Sequence, residues 1–249
     1  MITVNDVYTL LDEKYNFSSA LPYDNPGHLV GSLTDKVTGI LVCLDCTDEA
    51  VTQAAEEGAN LIITHHPVIF DGVKSVLEGS VVYELIKNNI SVISMHTNLD
   101  IADDGVTVAL CKKIGLKNIK PYIASDGFVI RSAECGFENA EALAVHLKKT
   151  LGGAVRYTDS GRAISKVLVC SGSGGDFLSD AYSGGFDALI TADIKHHLFI
   201  EAANCGISLF DAGHFETENI ILEPLDSLLS EHFKGISFIP FSPDYIKSV

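Results

Sequence analysis

Histidines and carboxylates follow several apolar runs of this sequence, where they could bind metal ions. His65 and His66 open a His-His-Pro triplet directly after the run that ends at Thr64. His96 follows a second such run, and Asp100 comes four residues after it. Imidazole and carboxylate groups are ligands of zinc, manganese, iron, cobalt and nickel ions. The pattern therefore indicates a metal site assembled from separate segments of the chain.

The spacing favours two ions rather than one. Adjacent side chains diverge, so His65 and His66 suit one ion each, and two-metal sites hold their ions roughly 3.5–4 Å apart. His214 and Glu218 would share one face of a helix, where the Glu218 carboxylate could bridge both ions. A lone histidine after a strand usually caps or packs, but that does not account for the combined pattern. The predicted ligands of this dinuclear centre are His65, His66, Asp100, His214 and Glu218.

Two further histidines and one glycine-rich turn are secondary candidates. His96 and His197 could orient a ligand or act as general acid or base, or each could be a hydrogen-bonded loop histidine. The turn at 172–175 could bring N–H groups to an anion. It matches neither the dinucleotide-binding fingerprint nor the P-loop, and a tight turn is the favoured interpretation.

The elements that must position these residues are short apolar runs alternating with helical segments, which is typical of parallel βαβ units. Ligands of such sheets bind beyond the carboxyl ends of the strands. The predicted strands are 37–44, 60–64, 90–95, 127–135, 165–170, 187–191 and 206–211, with a further short strand near 153–157. The predicted helices are 4–13, 48–58, 78–89, 104–115, 138–150, 176–184, 193–204 and 217–232.

A weak internal repeat predicts an α/β fold of two similar lobes with mainly parallel sheets and the metal site between them. Thr38-Gly-Ile-Leu-Val-Cys resembles Ser165-Lys-Val-Leu-Val-Cys, and similar pairs follow in the same order. The expected halves are 1–117 and 118–249, with a crossover at 118–163 and no inserted domain in mid-chain.

The composition excludes several classes of function. The 249 residues carry 17 basic and 33 acidic side chains, a formal net charge of −16. Such a surface repels phosphate backbones, so we expect no nucleic-acid partner.

No apolar run reaches the roughly 18 residues of a membrane span, and the amino terminus lacks the basic start and apolar stretch of a signal peptide. The six cysteines fit reduced thiols, including a Cys43-x-x-Cys46 pair without a second pair for zinc. These features predict a cytoplasmic protein without a membrane partner.

Taken together, the motifs resemble the GTP cyclohydrolase 1 type 2 homologue family, the NGG-interacting-factor-like dinuclear metal-binding proteins. The resemblance covers nearly the whole chain and departs from the family pattern at Tyr23, His28 and Ala192. Its landmarks are Tyr23-Asp-Asn-Pro-Gly, Leu44-Asp-Cys-Thr, His65-His-Pro, His96-Thr-Asn-Leu-Asp, Cys170-Ser-Gly-Ser-Gly, Thr191-Ala-Asp-Ile-Lys-His-His and Gly213-His-Phe-Glu-Thr-Glu.

The resemblance implies the same five ligands, two related α/β lobes with two divalent ions per chain between them, and a homohexameric ring. It also implies a hydrolase that acts on a small molecule such as a guanine nucleotide, with the bound ions activating water. Two alternatives stay open: a two-metal phosphoester hydrolase, and a non-catalytic metal-binding adaptor or regulator. Five ligands shared by two ions leave open coordination positions, which favours catalysis over a closed structural site.

Overall fold

The computed structural model describes residues 1–246 of the chain, which divide into two compact units. The first unit comprises Met1–Leu99 and Leu222–Pro243. The second comprises Asp100–Ile221 and residues 244–246. This division differs from the expected halves 1–117 and 118–249, because residues 100–117 pack with the second unit and residues 222–243 return to the first.

Strands and helices alternate along much of residues 1–246. The strands are β1 (Gly27–Val30), β2 (Gly39–Cys43), β3 (Leu61–Thr64), β4 (Ser91–Ser94), β5 (Lys117–Ile123), β6 (Val129–Phe137), β7 (Arg156–Tyr157), β8 (Ile164–Ser173), β9 (Ala188–Ala192), β10 (Ser208–Asp211) and β11 (Ser237–Phe241). The helices are α1 (Val4–Tyr15), α2 (Asp48–Glu56), α3 (Val81–Lys87), α4 (Thr97–Ile101), α5 (Val106–Lys113), α6 (Ala140–Leu151), α7 (Leu178–Ser183), α8 (His196–Cys205), α9 (His214–Glu218) and α10 (Leu222–His232).

The first unit is built on a five-stranded sheet in the order β1-β4-β3-β2-β11. Strands β11, β2, β3 and β4 are parallel neighbours, and β1 runs antiparallel against β4. Every residue of β2, β3 and β4 is buried. This is why these strands read as continuous apolar runs rather than as alternating patterns.

The second unit is built on a six-stranded sheet in the order β5-β6-β8-β9-β10-β7. Strands β8, β9 and β10 are parallel, and β7 runs antiparallel against β10. Strands β5 and β6 add an antiparallel pair beside β8. This sheet is therefore more mixed than the prediction of mainly parallel sheets, because the region 118–163 contributes antiparallel edges. The α/β class with two similar lobes is confirmed, since each unit has three successive parallel strands and an antiparallel strand against the third.

Local sequence signals fix the helix starts in both units. Thr3 and Asp6 form a reciprocal capping box at the start of α1. The side chain of Thr47 accepts a hydrogen bond from the Ala50 N–H at the start of α2, and Asn139 caps α6 in the same way. Such caps satisfy amide groups that the helix leaves without intrahelical partners.

The cysteines of the described residues are unpaired with one another, and the helices are unsuited to a membrane. The cysteines of residues 1–246 are free thiols, and burial raises the pKa of Cys46 to about 12. Neutral thiols are poor nucleophiles and metal ligands, so the Cys43-x-x-Cys46 pair belongs to the packing of the first unit. Among residues 1–246, the helices are all too short or too polar to cross a membrane.

Candidate metal centre

Three histidines of the first unit lie together at the carboxyl ends of β3 and β4. The ring centroid of His65 lies 4.9 Å from that of His66 and 5.3 Å from that of His96. The His66 and His96 rings are 5.7 Å apart. One ring nitrogen from each histidine lies within 4.8 Å of the others. Because β3 and β4 are parallel neighbours, the segments that follow them deliver these side chains to one edge of the sheet.

Each of these imidazoles is held through Nδ1. The Nδ1–H of His65 donates to the carbonyl oxygen of Met95 at 2.8 Å. The Nδ1 atoms of His66 and His96 lie 2.8 Å from carboxylate oxygens of Asp45 and Asp24, respectively. A carbonyl or carboxylate on Nδ1 selects the tautomer whose lone pair is on Nε2, the arrangement of metal-binding histidines in carboxylate–histidine–metal triads.

Asp24 joins the histidine group to the start of α4. Its carboxylate accepts hydrogen bonds from the Thr97 N–H at 2.9 Å and the Thr97 hydroxyl at 2.6 Å, besides the bond from His96. Burial alone would raise the pKa of Asp24, but the hydrogen bonds from His96 and Thr97 outweigh it and lower that pKa to about 2. Asp24 is therefore ionised, and it fixes the His96 ring.

In the second unit, helix α9 presents the predicted His214 and Glu218 on one face. The Nε2 of His214 lies 3.0 Å from Glu218 Oε2, and its Nδ1 lies 2.6 Å from Asp193 Oδ2. The hydrogen bond with Glu218 raises the pKa of His214 to about 9, against the lowering effect of burial, and Asp193 adds to the rise. A bound cation would have to displace that proton, so metal binding here is coupled to proton release.

Two carboxylates of the second unit also lie close together. Asp100 and Glu218 each offer an oxygen within 4.8 Å of the other, and Glu218 is only 4% exposed. Burial, followed by the charges of Asp100 and Glu218, raises the pKa of Cys170. Neighbouring carboxylates repel when both are ionised, and buried charges are normally paired or bound to metals. This pair of carboxylates is therefore a suitable binding site for a divalent cation.

The glycine-rich turn packs directly behind this pair. Gly172 has a φ of +59°, and a Cβ on it would clash with the carboxylate of Glu218. The Gly172 N–H donates to Thr217 Oγ1 at 3.1 Å, and the Gly172 carbonyl accepts from Thr191 at 2.9 Å. The requirement for glycine thus comes from close packing around Glu218, in agreement with the interpretation of 172–175 as a tight turn.

Ala192 is followed directly by a residue with a left-handed backbone conformation, Asp193. Ala192 is fully buried at the end of β9, and Asp193 follows it with a φ of +53°. Aspartate tolerates this left-handed conformation better than most residues, and the conformation accompanies the bond of its carboxylate to His214.

The second candidate histidine, His197, is exposed in the first turn of α8. It is absent from the groups of neighbouring ligand atoms found within residues 1–246.

Sequence reasoning missed the carboxylates that hold the imidazoles. Asp45 follows β2, Asp193 follows β9, and Asp24 lies in the loop before β1. Each of them stands in a motif that carries the family resemblance. A search for aspartates at the ends of neighbouring strands would have found Asp45 and Asp193, whereas Asp24 becomes apparent only when the loop is folded onto α4.

Two α/β units, each with histidine or carboxylate groups that could hold a metal ion at its sheet edge, define the class of this protein. The chain belongs to the Duf34/NIF3 (NGG1p interacting factor 3) family, whose sequence model matches residues 2–244. The family predicted from the motifs is therefore confirmed.

Relatives of similar length support the assignment. The chain is 32% identical over 248 residues to a GTP cyclohydrolase 1 type 2 homolog of Clostridium perfringens, covering 95% of both chains. It is 31% identical over 230 residues to the homolog of Clostridium acetobutylicum, covering 87% of this chain and 85% of that one. A crystal structure of a hypothetical protein of Staphylococcus aureus has a TM-score of 0.91 at 30% identity and covers 99% of both chains. Reduced HcgD of Methanocaldococcus jannaschii has a TM-score of 0.83 at 25% identity, covering 96% of this chain and 97% of that one.

Proposed function

We propose that this chain is a metal-dependent hydrolase with a dinuclear centre whose ligands come from both units. The observation that carries the proposal is the pair of adjacent carboxylates in the second unit, one of them bonded to an imidazole. The histidine group of the first unit supplies the neutral ligands that such a centre also requires. The proposed ligands are His65, His66, Asp100, His214 and Glu218.

The chemistry of the donors fits two divalent ions. Imidazole and carboxylate groups bind zinc, manganese, iron, cobalt or nickel. Bound ions would lower the pKa of a water molecule and polarise the substrate. Asp45, Asp193 and the Met95 carbonyl hold the imidazole rings in place through Nδ1, and the Glu218 carboxylate would be a ligand of the ions. His96 is not among the proposed ligands, and its bond to Asp24 suits it to orient a water molecule or substrate group.

The names of the relatives suggest the reaction. A cyclohydrolase adds water to the five-membered ring of a guanine nucleotide and releases formate. We propose this class of reaction for the chain, which would act in the cytoplasm as a homohexamer. The mass of the assembly in solution, measured by light scattering, should equal six times that of one chain.

The test combines metal content with turnover. Natively purified wild type, His66→Ala and Glu218→Ala would be measured by mass spectrometry for metal, and assayed with GTP for formate and for phosphate release. His232→Ala is the matched control, because His232 is an exposed histidine of α10 outside the proposed ligands, with its Nδ1 3.0 Å from the Leu228 carbonyl oxygen. We expect about two ions per chain in the wild type and the control, fewer in both site variants, and formate release that requires the metal.

The other outcomes are distinct. Phosphate release without formate would identify a phosphoester hydrolase. Two bound ions without any turnover would assign the chain to metal-binding adaptors or regulators. A wild type that binds no metal under supplementation with zinc, manganese, iron, cobalt and nickel would contradict the proposal altogether.

A further inference from the structure

Two exposed aromatic side chains stand beside the histidine group of the first unit. The Tyr23 side chain is 64% exposed and that of Phe70 is 45% exposed. Their ring centroids are 6.4 Å apart, with an angle of 42° between the ring planes. Leaving a large aromatic side chain in water costs free energy, so two such side chains next to each other on the surface mark a candidate binding site.

The loops that carry these rings are held in place. Asp24, next to Tyr23, is bonded to His96 and Thr97. The amide of Asn25 donates to the Ile69 carbonyl at 2.6 Å, which ties the two aromatic loops to each other directly before Phe70. Ile69 itself packs against the core of the first unit. Two consecutive side chains, Asp24 and Asn25, thus hold the rings in position before any ligand arrives, which reduces the entropic cost of binding.

The aromatic pair leads towards the proposed metal ligands. The Phe70 ring meets the His96 ring edge-on, with centroids 6.1 Å apart and an angle of 77°. His96 in turn lies 5.3 Å from His65 and 5.7 Å from His66. A continuous series of rings therefore runs from the histidines to the exposed face of Tyr23.

We propose that Tyr23 and Phe70 form the binding subsite for a planar heterocyclic ring of the substrate, such as a nucleobase. This inference rests on the proposed function, because it assigns the substrate class of the same site. Aromatic side chains stack on the faces of planar rings, and every base offers such a face. Stacking distinguishes bases weakly, so the subsite should accept purine rings in general and hold the ring beside the histidines.

The test compares ligands with and without a base. Binding of GTP, ATP and inorganic tripolyphosphate to the metal-loaded chain would be measured by calorimetry. The variants are Tyr23→Ala, Phe70→Ala and Tyr23→Phe, with Ile86→Ala as the control, because Ile86 is an exposed apolar residue of α3 in the same unit. Metal content and assembly mass would be measured for every sample.

We expect Tyr23→Ala and Phe70→Ala to weaken the binding of GTP and of ATP roughly 5- to 100-fold, which is the range given by base–aromatic stacking. Their affinity for tripolyphosphate should stay unchanged. Tyr23→Phe and Ile86→Ala should bind all three ligands as the wild type does. Because tripolyphosphate has no ring, only a ring subsite produces this difference between ligands.

Several results would overturn the inference. If the variants bound tripolyphosphate as weakly as they bind the nucleotides, the substitutions would have disturbed the loops generally. Unchanged binding of GTP and ATP would mean that no ring binds at Tyr23 and Phe70. A changed assembly mass with unchanged nucleotide affinity would assign the aromatic pair to a contact between copies. A chain that loads metal and hydrolyses GTP equally well with Tyr23→Ala and Phe70→Ala would retain the proposed function and lose only this subsite. A wild type without metal would remove the proposed function instead.

Discussion

Four imidazoles that include the candidate metal ligands are each fixed by an acceptor on Nδ1, and three of those acceptors are aspartates. Asp45, Asp24 and Asp193 hold His66, His96 and His214, respectively. The sequence identified the histidines, because adjacent histidines and their positions after apolar runs can be recognised from the order of residues alone. It did not identify their partners, because a single aspartate after a strand is common and the pairing depends on which loops meet.

Asp24 gives a prediction about pH. Its pKa in the folded chain is about 2, below the ordinary value of 3.8. A carboxyl group whose pKa is depressed by folding stabilises the folded state above the unfolded pKa, and that stability is lost as the pH falls towards the folded pKa. Asp24→Asn should therefore be less stable than the wild type at pH 5, and the difference should shrink as the pH falls to 3.

The measurement is the urea midpoint of both proteins at several pH values between 5 and 3. Asp71→Asn is the control, because Asp71 lies exposed on the loop that follows Phe70, and it should follow the wild type throughout. A difference between wild type and Asp24→Asn that stayed constant with pH would mean that the ionised carboxylate of Asp24 contributes nothing specific.

At the scale of elements, the apolar runs predicted the buried strands, and the predictions missed three of the four edge strands. The predictions 60–64 and 187–191 coincide closely with β3 and β9. Strands β1, β5 and β11 were missed, because edge strands are partly exposed and lack a continuous apolar run. The predicted helix 217–232 is in fact α9 and α10 with a short 3-10 turn at Asn219–Ile221 between them. The apolar periodicity of the sequence does not predict that break.

Helix α4 depends on a buried arginine that the sequence did not single out. Arg131 of β6 is 1% exposed. Its guanidinium donates to the carbonyls of Ile101 at 2.6 Å and Ala102 at 2.8 Å, and lies 3.6 Å from an Asp103 oxygen. These carbonyls belong to the carboxyl end of the helix, where intrahelical donors are lacking. Arg131 therefore fixes the backbone that immediately follows Asp100.

Arg131→Met should remove these donors while keeping most of the buried volume. Leaving buried acceptors unsatisfied costs about 1–3 kcal/mol each, so we expect a loss of roughly 2–5 kcal/mol in the free energy of urea unfolding. Metal affinity should fall as well, because the position of Asp100 loosens. Arg162→Met is the matched control, since Arg162 is exposed and its guanidinium donates to the Gly206 carbonyl. Equal stability of the two variants would refute the role given to Arg131.

At the scale of the whole molecule, the two units carry different sets of side chains that could hold a metal ion. The first offers imidazoles, and the second offers two carboxylates and one imidazole. The internal repeat predicted two similar lobes, yet it did not predict that their ligand chemistry would differ. Similar strands end in different side chains, since the residues beyond a strand are free to diverge while the strand itself must stay apolar.

If the two sets serve the same ions, metal binding must couple the two units energetically. Saturation of one site at 100 times its Kd stabilises a folded chain by about 2.7 kcal/mol, which is roughly 5 to 10 °C in Tm for a chain of this size. We expect zinc or manganese to raise the Tm of the wild type and of His232→Ala by at least this amount. His66→Ala and Glu218→Ala, one in each unit, should each lose most of the rise.

The double variant separates one shared centre from two independent sites. With a shared centre, His66→Ala combined with Glu218→Ala should lose little more of the metal-induced Tm rise than Glu218→Ala alone, because residues that act on one ligand are not additive. With independent sites, the two losses would add, and each single variant would keep the rise that belongs to the other unit. Calorimetric melts with and without metal distinguish these outcomes, since additive losses would confine each ion to a single unit and contradict the shared centre.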